Sequence, residues 1–325
     1  MSDNLRLTGK EYDITSLGEA LIDFTETGIS PSGMRLFEQN PGGAPANLIC
    51  AASRLGAKTA FIGKVGGDMH GRFLQETLKE AGVDIRGMVT AEDIFTTMAF
   101  VTLDGGEREF SFARKPGADA QLTEHELNFE ILDNTAVLHI GSLSLTDEPA
   151  RTATYTAVKR AKEAGAIISY DPNYRAPLWS SRKEAILRMR EPLHLVDIMK
   201  LSDEETELLS GYSDPERAAM ELSNRGISIV AVTLGKSGAL VCCNGECRMI
   251  SGYDISVVDT TGAGDAFWGG FLYQLLKSGN PLKLVNLDAA TSFARFANAT
   301  AAICVRRRGG IPSMPTLQEV MSLTP

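Results

Sequence analysis

The sequence predicts an α/β fold in which a mostly parallel sheet carries helices on both faces. Along most of the 325 residues, short runs rich in β-forming residues alternate with segments whose apolar residues recur at helical spacing. Such alternation is typical of parallel sheets, because parallel strands need a crossover that is usually a helix. A β-rich run at 96–103 and an alternating run at 108–112 flank Asp104-Gly105-Gly106, which is a hairpin turn signal. The sequence therefore also predicts a small second sheet.

Local signals place the elements in order. The first strand, 13–17, closes at Gly18, and the helices at 46–55 and 71–81 stop at Gly56 and Gly82, because glycine takes the left-handed conformation that ends helices. A glycine- and proline-containing segment after Asp23 is expected to join the hairpin in the small sheet. Further strands are expected at 59–65, 136–140, 166–170, 195–199, 227–233, 238–242, 248–250 and 255–258, and further helices at 149–164, 181–190, 215–224, 266–277 and 284–305.

Composition narrows the class of protein. Hydrophobic content of 43% and charged content of 22% are ordinary for a soluble globular chain. The formal net charge of −9 gives no support to nucleic-acid binding, and the Arg306-Arg307-Arg308 cluster is expected to complement the negative end of the preceding helix. Five cysteines without metal-ligand spacing indicate reduced thiols and a cytoplasmic protein. No apolar run is long enough to predict a membrane helix, and residues 1–10 lack the apolar core of a signal peptide.

The stretch Val258-Asp259-Thr260-Thr261-Gly262-Ala263-Gly264-Asp265-Ala266-Phe267 carries the strongest chemical signal. Its glycines leave backbone N–H groups uncovered, and the helix that follows points its positive end at the same place, which predicts an anion site. Asp265 lies beside that site in the first helical turn. A carboxylate base next to an anion cradle suits phosphoryl transfer. The alternative is that Gly-Ala-Gly-Asp is only a helix entry.

A second motif, Gly42-Gly43-Ala44-Pro45-Ala46-Asn47, precedes the first by about 200 residues. Together the two strings resemble the N- and C-terminal signatures of the ribokinase-like (PfkB) carbohydrate kinases. The resemblance spans essentially the whole chain. It implies a ribokinase-like α/β fold in one domain, 1–325, with lid segments inserted at about 24–40 and 96–117. It also implies ATP-dependent phosphorylation of a sugar hydroxyl.

The resemblance implies a role for each matching residue. Asp265 would be the base, and the amides of Gly262, Ala263 and Gly264 would form the anion hole. The sugar would be bound by Asp23, Gly42, Gly43 and Asn47, with Arg114 or Arg175 available for a carboxylate. The nucleotide would be bound by Thr233, Gly235, Gly238 and Asn298. Glu205 would bind Mg²⁺ through water, and Asp259 is a candidate for a monovalent cation such as K⁺.

Several of these positions have a purely structural alternative. Asp23 is also compatible with a turn after the first strand, and Arg175 with a surface salt bridge. Asn298 alone in a helix is compatible with a solvent-facing position. Ser202 stands where the family has asparagine, so the acidic run that contains Glu205 is also compatible with a helix start capped by Ser202.

Within the family, three strings look most like the fructokinase group: 18–24, 112–119 and 200–204. That resemblance implies fructose 6-phosphate as the product. Phosphorylation of 2-keto-3-deoxygluconate is the second possibility, and that of ribose or a nucleoside the third. A sugar-binding regulator and a dehydrogenase are rivals of other classes, although the first strand is not followed by GxGxxG. The small sheet would also favour a homodimer through the lid.

Overall fold

The computed structural model describes residues 9–104 and 107–323. The turn predicted at Gly105 and Gly106 lies outside the described residues. The strands are β1 (Tyr12–Leu17), β2 (Leu21–Ile29), β3 (Arg35–Gly42), β4 (Thr59–Gly66), β5 (Asp84–Ala91), β6 (Met98–Asp104), β7 (Glu107–Ala113), β8 (Thr135–Gly141), β9 (Ile167–Asp171), β10 (Ile198–Ser202), β11 (Ile229–Thr233), β12 (Ala239–Cys243) and β13 (Glu246–Ile250).

The helices connect these strands on both faces of the large sheet. They are α1 (Ala44–Arg54), α2 (Met69–Glu80), α3 (Phe129–Asp133), α4 (Ala150–Glu163), α5 (Arg182–Arg190), α6 (Thr206–Ser210), α7 (Pro215–Asn224), α8 (Ala263–Lys277), α9 (Leu287–Cys304) and α10 (Leu317–Leu323). No helix in the described ranges is both long enough and apolar enough to span a bilayer.

The large sheet has nine strands in the order β13-β12-β11-β10-β9-β8-β1-β4-β5. All neighbours from β11 to β5 are parallel, and β12 and β13 add an antiparallel edge. One apolar core joins the sheet to α1, α2, α8 and α9, and a second joins it to α3, α4, α5 and α7. Both faces of the central strands are therefore buried, which explains their nearly continuous apolar sequences.

The small sheet has the order β3-β2-β6-β7. Strand β2 pairs antiparallel with β3 and parallel with β6, and β6 pairs antiparallel with β7. The segment after Asp23 and the hairpin thus combine as predicted. The predicted mostly parallel sheet with helices and a small separate sheet is confirmed.

Some element predictions were wrong in detail. Residues 255–258 form no strand, and Val257 and Val258 are more than half exposed. Strand β10 begins three residues later than expected. A 3₁₀ segment that contains Pro192 spans Glu191–Leu195 and so includes the first residue of the predicted strand. Strand β5 was not predicted, because its polar residues and Gly87 break the alternating pattern.

The fold concentrates functional groups at one edge of the large sheet. Strand order reverses between β1 and β8, since the chain moves from β1 toward β4 on one side and from β8 toward β11 on the other. Open α/β sheets bind ligands outside the carboxyl ends of their strands at such a point. The small sheet begins directly beyond the end of β1, and the N-termini of α1 and α8 approach the same edge through their contact with each other.

Candidate active site

The glycine turn before α8 has the geometry that the anion-site prediction requires. Gly262 is the N-cap residue and has a φ of 77°, in the left-handed region where a side chain would be strained. Helix α8 begins at Ala263, so the amides of its first turn lack helical partners. The Ala263 N–H donates to the Thr260 carbonyl at 3.2 Å, so it would have to share that hydrogen with an anion.

Asp265 is buried in the first turn of α8 and is held by two amide side chains. Its Oδ2 accepts a hydrogen bond from Asn47 Nδ2 at 2.8 Å, and its Oδ1 accepts one from Asn173 Nδ2 at 3.4 Å. Burial raises the pKa of Asp265, while the Lys200 charge acts most strongly to lower it. The carboxyl group is therefore oriented by fixed donors and has an affinity for protons above that of an exposed aspartate.

Asn47 also turns an unused acceptor inward. Its Oδ1 atom is buried and has no hydrogen-bond partner within the described residues. Buried polar atoms are normally satisfied, so this oxygen is suited to accept a hydrogen from a ligand.

A buried ion pair lies behind the glycine turn. Lys200 Nζ lies 2.7 Å from Asp171 Oδ2, and both side chains are less than a tenth exposed. A Cβ atom placed on Gly264 would lie 2.9 Å from the same Nζ. Burial opposes the charge, but Asp171, Glu205 and Asp265 hold the pKa of Lys200 above its usual value. A cation is therefore fixed beside the predicted anion-binding turn.

The predicted sugar residues meet where β2 and β3 join the body. A Cβ atom on Gly42 would lie 2.5 Å from Asp23 Oδ2, and one on Gly43 would lie 2.4 Å from the Glu19 carbonyl oxygen. Gly43 also has a φ of 104° and meets backbone, so this position requires glycine, whereas a side chain at Gly42 would displace the Asp23 carboxylate. Burial raises the pKa of Asp23 to about 7, and the charge of Arg175 opposes this shift. The positive charge of Arg175 therefore acts on the Asp23 carboxyl group.

The two arginines have different surroundings. Arg114 is buried, and its guanidinium donates to Asp119 Oδ2 at 2.8 Å, Thr146 Oγ1 at 2.8 Å and the Leu143 carbonyl at 2.9 Å. These contacts account for a structural role. Arg175 is only partly buried, and its charge acts on both Asp23 and Asp265. Of the two, Arg175 is the one whose charge acts on the candidate base.

The predicted nucleotide residues lie on the neighbouring half of the sheet. Thr233 ends β11 opposite Ser202 of β10. Gly238 has a φ of 100°, and a Cβ atom there would lie 2.1 Å from the Ile250 carbonyl oxygen. Asn298 is buried and donates to the same Ile250 carbonyl at 3.3 Å and to Ser251 at 3.1 Å. Asn298 therefore fixes the chain against which Gly238 turns, rather than facing solvent.

Gly235 begins the turn that leads from Thr233 to Gly238. Its φ is 55°, and no atom lies within 4 Å of a Cβ placed there, so open space borders this turn.

Two acidic residues fix loops at the border of the site. Glu205 is buried, and its two oxygens accept from Tyr174 N at 2.6 Å and Ser202 N at 2.8 Å. Ser202 and Glu205 form a reciprocal capping box, which is the structural alternative considered for this acidic run. Asp259 accepts from Thr261 N and from Gly309 N, both at 3.0 Å. It thereby connects the glycine turn to the segment after α9.

Three residues at this site were not singled out from the sequence: Asp171, Asn173 and Lys200. The sequence patterns around them pointed to Arg175 and Glu205 instead. Their position along the strands could have identified two of them, because β9 ends at Asp171 and Lys200 lies near the end of β10. Within residues 9–104 and 107–323, no group of three or more His, Cys, Asp or Glu side chains is arranged to bind a metal directly.

The chain is also similar to known proteins along nearly its whole length. Residues 12–317 match the model of the pfkB family of carbohydrate kinases. Fructokinase-1 from Zea mays is 44% identical over 97% of this chain and 98% of its own. The crystal structure of fructokinase from Xylella fastidiosa with bound ATP has a TM-score of 0.89 at 34% identity, covering 96% of this chain and 97% of that one.

A third relative was solved with both ligands. A fructokinase double mutant from Vibrio cholerae, in its form with fructose, ADP and potassium ion bound, has a TM-score of 0.86 at 31% identity, covering 97% of this chain and 99% of that one. The similarity thus extends across the whole site and both sheets.

Proposed function

This chain belongs to the pfkB family of carbohydrate kinases, and from that premise we propose that it transfers the γ-phosphoryl group of ATP to fructose. The observation that carries the proposal is Asp265. It is a buried carboxyl group at the start of a glycine-led helix, and Asn47 holds it next to the predicted sugar residues. Fructokinases are among the relatives that match over nearly the full chain. The product is fructose 6-phosphate.

Asp265 acts as the base of the transfer. It accepts the proton of the sugar hydroxyl, and the oxygen so activated forms a bond to the γ-phosphorus. The bond between that phosphorus and the bridging oxygen breaks, and its electron pair leaves with ADP. The proton is then released from Asp265 to water. The amides of Gly262 and Gly264, at the positive end of α8, stabilise the charge on the transferring group.

Sugar binding is assigned to the groups that converge beyond β1. Asp23 accepts hydroxyl hydrogens, the unpartnered Oδ1 of Asn47 accepts another, and Gly42 and Gly43 let the sugar approach the backbone. The small sheet acts as a lid that excludes water, which would otherwise compete as acceptor. Arg175 is the group that would favour an acidic sugar, and 2-keto-3-deoxygluconate is therefore the second candidate substrate.

ATP is assigned to the turn from Thr233 to Gly238 and the region of Asn298. Mg²⁺ fits Glu205 through water, since each Glu205 oxygen already accepts one backbone hydrogen and keeps a free lone pair. When bound, Mg²⁺ supplies positive charge to the phosphates. K⁺ fits the loop at Asp259, whose carboxylate and neighbouring carbonyls are hard oxygen ligands. A bound cation there would steady the turn at Gly262.

The protein is also proposed to be a cytoplasmic homodimer. Its five cysteines are free, as expected of a chain that stays reduced. The outer part of the small sheet exposes a set of apolar side chains, which we call the lid patch: Ile29, Met34, Leu36 and Phe37. A second copy would cover this patch and the edge strand β3.

The test is ATP consumption with Mg²⁺ against fructose, 2-keto-3-deoxygluconate, ribose, glucose and adenosine. We expect fructose to give the highest kcat/KM, and Asp265→Asn to lower kcat by about 10²–10⁴-fold, because the base is lost without a change of shape. A higher kcat/KM for 2-keto-3-deoxygluconate would instead identify this acid as the substrate. Full activity of Asp265→Asn would exclude the mechanism.

A further inference from the structure

The Lys200 ammonium lies where it would interact with the negative charge of a bound phosphoryl group. Its Nζ atom lies 2.9 Å from the point that a Gly264 Cβ would occupy, so the ammonium borders the turn whose amides form the anion hole. The residue is 5% exposed, and its charge is therefore poorly screened by water. It is fixed from behind by Asp171, at 2.7 Å.

The ammonium group retains hydrogen-bonding capacity. An ammonium carries three N–H donors. In the part of the chain that the structure describes, the hydrogen bond to Asp171 Oδ2 is the one that Lys200 makes. Buried donors are normally satisfied, so a ligand or water is expected to take the others. Any side chain at Gly264, in the proposed anion-binding turn, would collide with this ammonium group.

We propose that Lys200 is a catalytic residue, whose ammonium completes the anion hole by donating to the phosphoryl group during transfer. The inference rests on the proposed kinase function and deepens it. Negative charge on the transferring group is largest in the transition state, so a fixed cation there accelerates the reaction more than it tightens binding. Lys200 keeps its proton throughout, and Asp265 alone receives the hydroxyl hydrogen.

The same cation also influences the base. Lys200 is the neighbour that most favours the ionised form of Asp265. Asp171 balances the cation, so that the buried cluster does not carry an isolated charge. Other titratable or charged groups that interact with this cluster are Arg175, Asp23, Glu205, Cys304, His139 and Tyr170. The effect of Lys200 on catalysis must therefore be measured by comparison with matched variants in which these groups are unchanged.

The first measurement is steady-state kinetics of Lys200→Met, which keeps the length of the side chain and removes the charge. The sugar is whichever one of the panel the wild type phosphorylates best, so a different acceptor would overturn the fructose proposal and leave this test intact. We expect kcat to fall by about 10²–10³-fold, as for loss of one oxyanion-hole donor, with the KM for sugar changed less than about threefold. A kcat within threefold of wild type would overturn the inference.

A binding measurement separates catalysis from general damage. ADP with aluminium fluoride, Mg²⁺ and sugar mimics the transferring group, and its affinity should fall with kcat in Lys200→Met while the affinity for ADP alone stays unchanged. Loss of kcat with unchanged fluoride-complex affinity would overturn the proposal. Lys64→Met is the control. Lys64 lies on strand β4, and its Nζ atom is paired with a carboxylate in the same way, 2.6 Å from Glu126 Oε1. This variant should keep the wild-type kcat.

The pH dependence of kcat gives a third readout. Without Lys200, the ionised form of Asp265 loses its main support, and the acidic limb should move to higher pH. Asp171→Asn removes a negative charge from the same cluster and should move it to lower pH. Shifts in the same direction would contradict the assignment.

If Lys200→Met fails to fold, Lys200→Met with Asp171→Asn removes both buried charges together and provides the test instead. We expect this double variant to fold and to show the same loss of kcat. A folded double variant with wild-type kcat would overturn the proposal.

Discussion

Glu19 shows at the scale of one residue how a buried acid supports the sugar loop. Its Oε1 accepts the Ala44 N–H at 3.1 Å, and its carbonyl borders Gly43. The other carboxyl oxygen is buried and has no hydrogen-bond partner among the described residues. Burial raises the pKa of Glu19 to about 8. The folded protein therefore holds this side chain as the neutral acid at neutral pH.

This protonation makes stability depend on pH. The folded pKa of Glu19 is about 8 and the reference value is 4.5, so the unfolded chain releases the proton first as pH rises. The contribution of Glu19 to the free energy of unfolding is fully present below the reference pKa. It is lost as pH rises toward 8, which lowers the free energy of unfolding by up to about 4 kcal/mol. We expect Glu19→Gln, which cannot ionise, to gain stability relative to wild type over this window. Urea unfolding at pH 5, 6.5 and 8 measures the difference, and parallel curves would contradict it.

Asp23 gives a second prediction at this scale, for catalysis. Its pKa of about 7 means that it is ionised above neutral pH and loses acceptor capacity as pH falls. We expect kcat/KM for fructose to decline below pH 7, and Asp23→Asn to lower it about 10–100-fold, the cost of one charged hydrogen bond. In this variant, the pH profile of kcat/KM should lose the acidic limb caused by Asp23. The pH profile of kcat at saturating fructose should keep the acidic limb caused by Asp265. Retention of both limbs would assign the titration to another group.

At the scale of elements, the contact between α1 and α8 sets the distance from Asn47 to Asp265. A Cβ atom on Gly269 of α8 would lie 2.9 Å from the Leu48 carbonyl oxygen and 3.0 Å from Ala51 Cβ. Trp268 fixes the same helix to the sheet, since its Nε1 donates to Ser169 Oγ at 2.8 Å. The helix is therefore held from two sides, with backbone against backbone at Gly269.

A side chain at Gly269 should separate the two helices. We expect Gly269→Val to destabilise the protein by about 1–3 kcal/mol through overpacking, and to lower kcat at least tenfold because the Asn47–Asp265 geometry is disturbed. Thermal unfolding and kinetics would measure both. Gln274→Val places the same side chain in the same helix at a half-buried position and should keep kcat. Equal losses in the two variants would point to helix propensity instead.

The sequence predicted the parts of the site that lie in one string, and missed those that depend on register. The glycine turn and Asp265 follow each other directly, so local reasoning placed them on the start of α8. Lys200 escaped because the predicted strand stopped at Met199, whereas β10 runs from Ile198 to Ser202. Its partner Asp171 comes from a neighbouring strand 29 residues away, and no local pattern encodes that pairing.

The same distinction applies to the fold. Long apolar helices and buried strands were placed within a few residues, because burial on one or both faces leaves a periodic pattern. Strand β5 lies at the sheet edge and carries Asp84 and Arg86, which pair with each other at 2.9 Å. Its identity depends on β4 as a neighbour, which only the assembled sheet provides.

At the scale of the whole molecule, the lid patch sets the expected assembly. Leu36 is 47% exposed in β3, beside Ile29, Met34 and Phe37. We expect a dimer in sedimentation experiments, and Leu36→Glu to shift it to monomer, because a charge would be desolvated in the interface. Leu187→Glu on α5, where the wild-type side chain is 63% exposed, is the matched control and should stay dimeric. A wild type that is monomeric at every concentration would refute the assignment.

The contact between Asn47 and Asp265 joins positions 218 residues apart, and this has a consequence for synthesis. At roughly 5–20 residues per second, a ribosome adds Asp265, the proposed base, about 10–40 s after Asn47. Until then the apolar face of α1 has no α8 to cover it, so the nascent chain is expected to need shielding from neighbours. If Asp265 is the base, as proposed, the unfinished chain is expected not to consume ATP, because that carboxyl group has not yet been made.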